Sequence, residues 1–108
     1  MVQVVPLDLG DFTAIGVVVE LPRTRLLAIT AGDGYIMCGA LDIQLLNTRL
    51  ADRGVVAGRA VGVRTLQDLL SAPLESVTFA AQALGIYPGL SGREALQRMA
   101  RYAGLLRG

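Results

Sequence analysis

The sequence predicts one α/β domain with α+β character at its start: an N-terminal antiparallel β meander, then a βαβ unit, then C-terminal helices. Three observations carry this expectation. Apolar residues alternate with the period-two rhythm of strands as far as Cys38, the spacing changes to three and four residues from Leu41, and a Val- and Gly-rich strand pattern then returns before two capped helical stretches. A chain of 108 residues has room for a single core, so 1–108 is read as one domain, with 1–33 as a β region and 34–108 as the α/β core.

Residues 2–7 (VQVVPL) read as a short strand, and Pro6, which has no N–H for a ladder, assigns it to an edge or an end. Asp8 to Asp11 supply turn residues. From Phe12 to Leu21 the odd positions Thr13, Ile15, Val17, Val19 and Leu21 form an almost wholly apolar face, and the even face holds Phe12, Ala14, Gly16, Val18 and Glu20. A strand apolar on both faces is expected to be covered on both. A third strand runs from about Arg25 to Thr30, the Asp33-Gly34 pair suits a tight hairpin, and Tyr35–Cys38 is the returning strand.

Gly39-Ala40 interrupts the strand pattern, and Leu41, Leu45 together with Ile43, Leu46 and Leu50 predict a helix from Leu41 to Arg53, ended by Gly54. Val55–Val63 is expected as a strand parallel to Tyr35–Cys38, as a βαβ connection requires. Thr65-Leu-Gln-Asp68 is a capping box with Asp in place of Glu or Gln and opens a short helix to about Ser71. Leu74, Val77, Ala81 and Leu84 mark one helix face ended by Gly85. Ser91-Gly-Arg-Glu94 caps a last helix with Leu96, Met99, Ala103 and Leu106 inward.

Composition removes several functions. There is no His and no Lys, which excludes Cys–His catalysis, a Schiff-base lysine and a P-loop lysine. The net charge of +1 comes from scattered Arg and forms no basic patch, so nucleic acid is not an expected partner. No apolar run reaches the roughly 18 residues needed to span a bilayer, no signal-peptide pattern opens the chain, and a lone Cys38 makes no internal disulfide, so cytoplasmic residence is expected without a membrane partner. One Cys and carboxylates without ligand spacing give no metal site, and no cofactor motif occurs. The 53% hydrophobic content is high for so small a domain and predicts a homo-oligomer that buries part of the sheet.

In a βαβ unit both strands end at the same edge, where ligands of open α/β sheets bind. That edge is expected to gather Cys38, Gly39, Ala40, Asp42, Arg64 and Thr65, with two helix N-termini and the Arg64 fork favouring a small anion, and Arg59 completes the candidate ligand-binding set. Cys38 is either a packed small hydrophobe or a thiol activated by this positive environment, with Asp42 as the acid or base of a thiol enzyme. Asp42 is most simply a first-turn residue. Arg59 falls by alternation on an apolar face. Either a bulge at Gly58 turns it outward, or it is buried against a carboxylate such as Asp42 or Glu75.

The strings Gly34–Asp42 (GYIMCGALD), Arg53–Thr65 (RGVVAGRAVGVRT), Ala72–Thr78 (APLESVT) and Ser91–Leu96 (SGREAL) resemble the YunC family, small bacterial and archaeal proteins of unknown function. The resemblance implies a single domain of this size whose N-terminal β region serves tetramerisation. It implies no activity, cofactor or catalytic residue. The expectation is an oligomeric module that takes a small anionic ligand or a partner at the Cys38/Asp42/Arg64 edge, against a thiol-dependent enzyme and a purely structural assembly subunit.

Overall fold

A computed structural model describes residues 1–49 and 51–106 and contains one six-stranded sheet in the sequential order β1 to β6. The meander comprises β1 (Val2–Asp8), β2 (Thr13–Leu21), β3 (Thr24–Ala31) and β4 (Gly34–Met37), all antiparallel. Pro6 lies in β1, the outer strand, which pairs only with β2. The chain crosses through α1 (Ile43–Thr48) and a 3-10 turn (Ala51–Arg53) to β5 (Ala57–Arg59), which is parallel to β4, as expected of the βαβ unit. Then follow α2 (Leu66–Ser71), β6 (Ser76–Val77), α3 (Phe79–Ala83) and α4 (Gly92–Tyr102), with β6 antiparallel to β5.

Several boundaries differ from the sequence reading. The β3–β4 loop is Gly32-Asp33, not Asp33-Gly34: Ala31 pairs with Gly34, and Gly32 takes the positive φ of 62°. The helix expected from Leu41 starts at Ile43, because Asp42 is its N-cap instead of a first-turn residue and its carboxylate accepts from the Leu45 N–H. Leu50 of the expected helical face lies outside the described residues. The strand expected over Val55–Val63 is three residues long, and its chain then turns away through Gly62 at φ 74°. The helix expected from Leu74 to Leu84 is a loop, a two-residue strand and a short helix. Leu74 is pinned to the 89–90 segment by Leu74 N to Leu90 O (2.8 Å) and Gly89 N to Leu74 O (2.9 Å), which leaves Ser76 and Val77 to join the sheet beside Arg59 and Gly58.

The caps explain where helices begin. Thr65 accepts from Asp68 N, Thr78 from Ala81 N and Ser91 from Glu94 N. Asp68 is a carbon shorter than Glu, and its carboxylate takes the N–H of Arg64, one residue before the cap. Leu96 and Met99 of α4 point inward as expected, joined by Ala95 and Ala100, whereas Ala103 follows the end of the helix and is exposed.

The core lies between one face of the sheet and α2 with α4. Ala14, Val18, Leu27, Ile29 and Ile36 meet Leu69, Leu70, Leu96 and Met99 there. Gly92 lets α4 approach α2 closely, since a Cβ at that position would stand 2.1 Å from the Leu69 carbonyl oxygen. On the other face Val4, Ile15 and Leu21 are exposed and Val17, Val19, Leu26 and Ala28 half-buried. No helix among the described residues is long and apolar enough to cross a membrane.

Candidate functional site

The parallel pairing of β4 with β5 sets the geometry. Tyr35, Ile36 and Met37 stand beside Ala57, Gly58 and Arg59, so both strands end together. Ala60 N donates to Met37 O at 2.9 Å and closes the ladder there. The first strand leaves through Cys38 and Gly39 into the Asp42 cap of α1. From the second, Arg59 meets the Glu75-Ser76 segment, where Glu75 N donates to Arg59 O at 2.7 Å. A groove of about 770 Å³ opens between these ends, α1 and α3.

Arg59 is the best-fixed polar group in it. Its Nε and Nη2 both donate to the Gly39 carbonyl (3.2 and 3.1 Å), and Nη1 donates to Glu75 Oε2 at 2.8 Å. Of the two positions expected for Arg59, neither is taken in full: it pairs with a carboxylate, Glu75 and not Asp42, but is not buried with it. The pair is only partly shielded, with side-chain exposures of 27% for Arg59 and 45% for Glu75. The Ser76 hydroxyl, and after it the Arg59 guanidinium, hold the Glu75 carboxyl below the usual carboxylate range.

The other walls are mostly uncharged. Gln44, Asn47 and Thr48 come from α1, Ser76 from β6, and Phe79 and Gln82 from α3. Asn47 Oδ1 accepts from the Phe79 N–H at 2.9 Å and so ties α1 to the start of α3. The Phe79 ring is 64% exposed. Such a surface offers amide and hydroxyl hydrogen bonds, one cation and an apolar plate. The features suit recognition of a small molecule with a polar and an apolar part.

Of the candidate residues, Gly39, Ala40, Asp42 and Arg59 line the groove. Cys38 does not. It is buried, and its Sγ accepts from the Leu27 N–H at 3.5 Å, on the core side of the sheet. Arg64 and Thr65 are also outside the groove. The Arg64 carbonyl accepts from Arg25 Nη1 at 3.1 Å, and the Thr65 hydroxyl is committed to capping α2. Helices α1 and α2 each have six residues, and the N–H of the third residue of each, Leu45 and Asp68, already donates to the Asp42 and Thr65 side chains. The sequence brings Glu75 forward only as a partner for Arg59 and does not single out Asn47, Phe79 or Gln82. Their signal was an uncharged amide inside the α1 pattern and an exposed aromatic directly after a Thr cap.

No group of three or more Cys, Asp or Glu side chains able to hold a metal ion occurs among the described residues.

The profile of a family described as a domain of unknown function, DUF1805, matches residues 37–99, a span that contains every residue of the groove. The chain is 57% identical over 99 residues to the uncharacterized protein YunC of Bacillus subtilis (strain 168), covering 92% of this chain and 98% of that one. In three dimensions it is similar to the crystal structure of a protein of unknown function, TA1206, from Thermoplasma acidophilum. The TM-score is 0.81 at 32% identity, with 92% of this chain and 93% of that chain covered.

Proposed function

This chain belongs to the DUF1805 family, and from that premise we propose that it is an oligomeric, cytoplasmic binding module whose small ligand occupies the groove between α1, α3 and the ends of β4 and β5. The observation that carries this reading is the Arg59 fork, held on two sides by Gly39 and Glu75 at the edge of an open groove of about 770 Å³. A guanidinium with a fixed plane selects ligand geometry, because its remaining donors point in set directions. The ligand surface is Arg59 with the amides of Gln44, Asn47 and Gln82 and the ring of Phe79. Binding is favoured over thiol catalysis because the Cys38 sulfur accepts from the Leu27 N–H in the core and Cys38 does not line the groove.

Oligomerisation rests on the second sheet face. Val2 and Val4 of β1, Ile15 and Val17 of β2, and Leu26 and Ala28 of β3 make a continuous uncharged surface that no helix among the described residues covers. Apolar patches of this kind mark association surfaces. A second copy brings an identical, equally uncharged face, and the tetramer implied by the YunC resemblance uses this same N-terminal region.

The groove is tested by titrating labelled protein with a mixed set of small carboxylates, phosphates, neutral amides and amines. At least one class is expected to shift the side-chain amide signals of Gln44, Asn47 and Gln82, while Gln97, whose Nε2 donates to Asp11 on another side of the molecule, stays fixed. No shift with any class, or shifts that include Gln97 equally, would remove the reading.

A further inference from the structure

We propose that Glu75 is a built-in occupant of the Arg59 fork, and that the ligand of the groove is a singly charged carboxylate with an apolar body, which binds by displacing the Glu75 side chain. This rests on the groove being a ligand site, and it adds the ligand class and a self-competition that limits affinity.

The charges of the groove decide the class. Its lining residues carry one cation, Arg59, and two anions, Asp42 and Glu75. The Asp42 carboxylate is committed to the Leu45 N–H as a helix cap. The Glu75 carboxylate is the group that sits on the cation, and it does so through one oxygen at 2.8 Å, not through both. Gly39 takes Nε and one hydrogen of Nη2, so the second hydrogens of Nη1 and Nη2 remain for another acceptor. An arriving carboxylate finds a preset site for its own chemistry, and two carboxylates cannot share one fork without repulsion. Asp42 and Glu75 together disfavour a doubly charged phosphate.

Displacement gives up the Arg59 pair and the Ser76 hydrogen bond, both open to solvent that can replace them. Glu75 is held to the strand by its backbone bond to Arg59 O, so its side chain can swing into solvent while β5 and β6 stay paired. The Phe79 ring, at the first position of α3 and largely exposed, then offers the apolar plate for the body of the ligand. Gln44 and Gln82 flank it with amides.

Two probes of similar size and opposite charge, phenylacetate and benzylamine, test this in wild type and in Glu75→Gln, Glu75→Ala, Arg59→Lys and Arg59→Gln. Phenylacetate is expected to shift the groove amides, and both Glu75 variants to tighten it by about fivefold, the upper range for release of an exposed ion pair. Arg59→Lys keeps the charge and loses the fork, so it weakens phenylacetate, and Arg59→Gln abolishes binding if the variant folds. The decision lies with the Glu75 variants, whose backbone bonds are intact. Phenylacetate affinity unchanged or weakened by Glu75→Gln overturns the competitor role. Benzylamine bound in preference to phenylacetate overturns the carboxylate assignment and leaves the groove as a ligand site. Silence with both probes in every protein overturns this inference, while the groove is judged separately by the wider set of amides, amines and phosphates.

Discussion

The two faces of the sheet are alike in composition and opposite in circumstance. Ile29 on β3 and Ile15 on β2 sit on neighbouring strands and have the same side chain, yet Ile29 is fully covered and Ile15 is 39% exposed. The difference lies in what the rest of the chain supplies. Helices α2 and α4 pack on β3 and β4 from one side only, and α1 and α3 are spent at β5, around the groove. A strand apolar on both faces therefore says that both need cover, and not that one chain provides it. The covered face supplies the core that makes the domain stable. The cross-strand row of the open face from Val4 through Val17 and Ala28 to Met37 carries no charge, and its next member is Arg59, at the edge of the groove.

Truncating the same residue type on each face separates these roles. Ile29→Ala is expected to lower unfolding stability by about 2–5 kcal/mol at any protein concentration, because it opens a cavity in a packed core. Ile15→Ala should cost under about 1 kcal/mol in dilute protein, where half-exposed methyls are removed from no cavity, and more as concentration rises and copies associate. Chemical unfolding at two concentrations reads both. Equal, concentration-independent losses would mean that the two faces are equally covered within one chain.

A charge on the open face comes next in effect. Val17→Asp places a carboxylate where Val4 and Ala28 flank it on the adjoining strands. Light scattering is expected to give a mass above 11.4 kDa for the wild type and a mass near that of one chain for the variant, with secondary structure unchanged. A monodisperse wild-type monomer at micromolar concentration, or an unchanged mass in Val17→Asp, would leave this face without a partner copy.

How much of this was legible from sequence depends on length and on competition between signals. Long strands with clean alternation, the parallel βαβ pair and the Thr65 and Ser91 caps were all readable, because each rests on several residues that agree. Strand β6 was not, because two residues carry no period and Leu74, Val77, Ala81 and Leu84 happen to fall at helical spacing. The candidate site was half legible for a related reason. Gly39, Asp42 and Arg59 lie at or just beyond strand ends that were correctly paired. Arg64 and Thr65 were brought to the same edge by a strand pattern that Val61 and Val63 extend past its true end at Arg59, while the chain itself turns at Gly62 towards Arg25. Cys38 follows the alternation of Ile36 into the core, which the break at Gly39 concealed.

The smallest effect belongs to the boundary between the open face and the groove, where Arg59 meets Glu75. In the folded chain the Glu75 carboxyl is held below its ordinary range by Ser76 and Arg59, and in the unfolded chain it titrates near about 4.3. The fold therefore binds the ionised form better. Its contribution is fully present above about pH 4.3 and is lost as pH falls through the lower folded value. Glu75→Gln has no such group, so the melting-temperature difference between wild type and variant should be constant from about pH 7 to 5 and should shrink as pH falls below the ordinary glutamate range. The exposed Arg25–Glu20 pair is common to both proteins and cancels in that difference. The shift is expected to be small, since both partners are open to water and salt. A difference that stays constant over the whole acid range in which both proteins remain folded would mean that the Ser76 and Arg59 contacts do not make the folded chain prefer ionised Glu75 over the unfolded one.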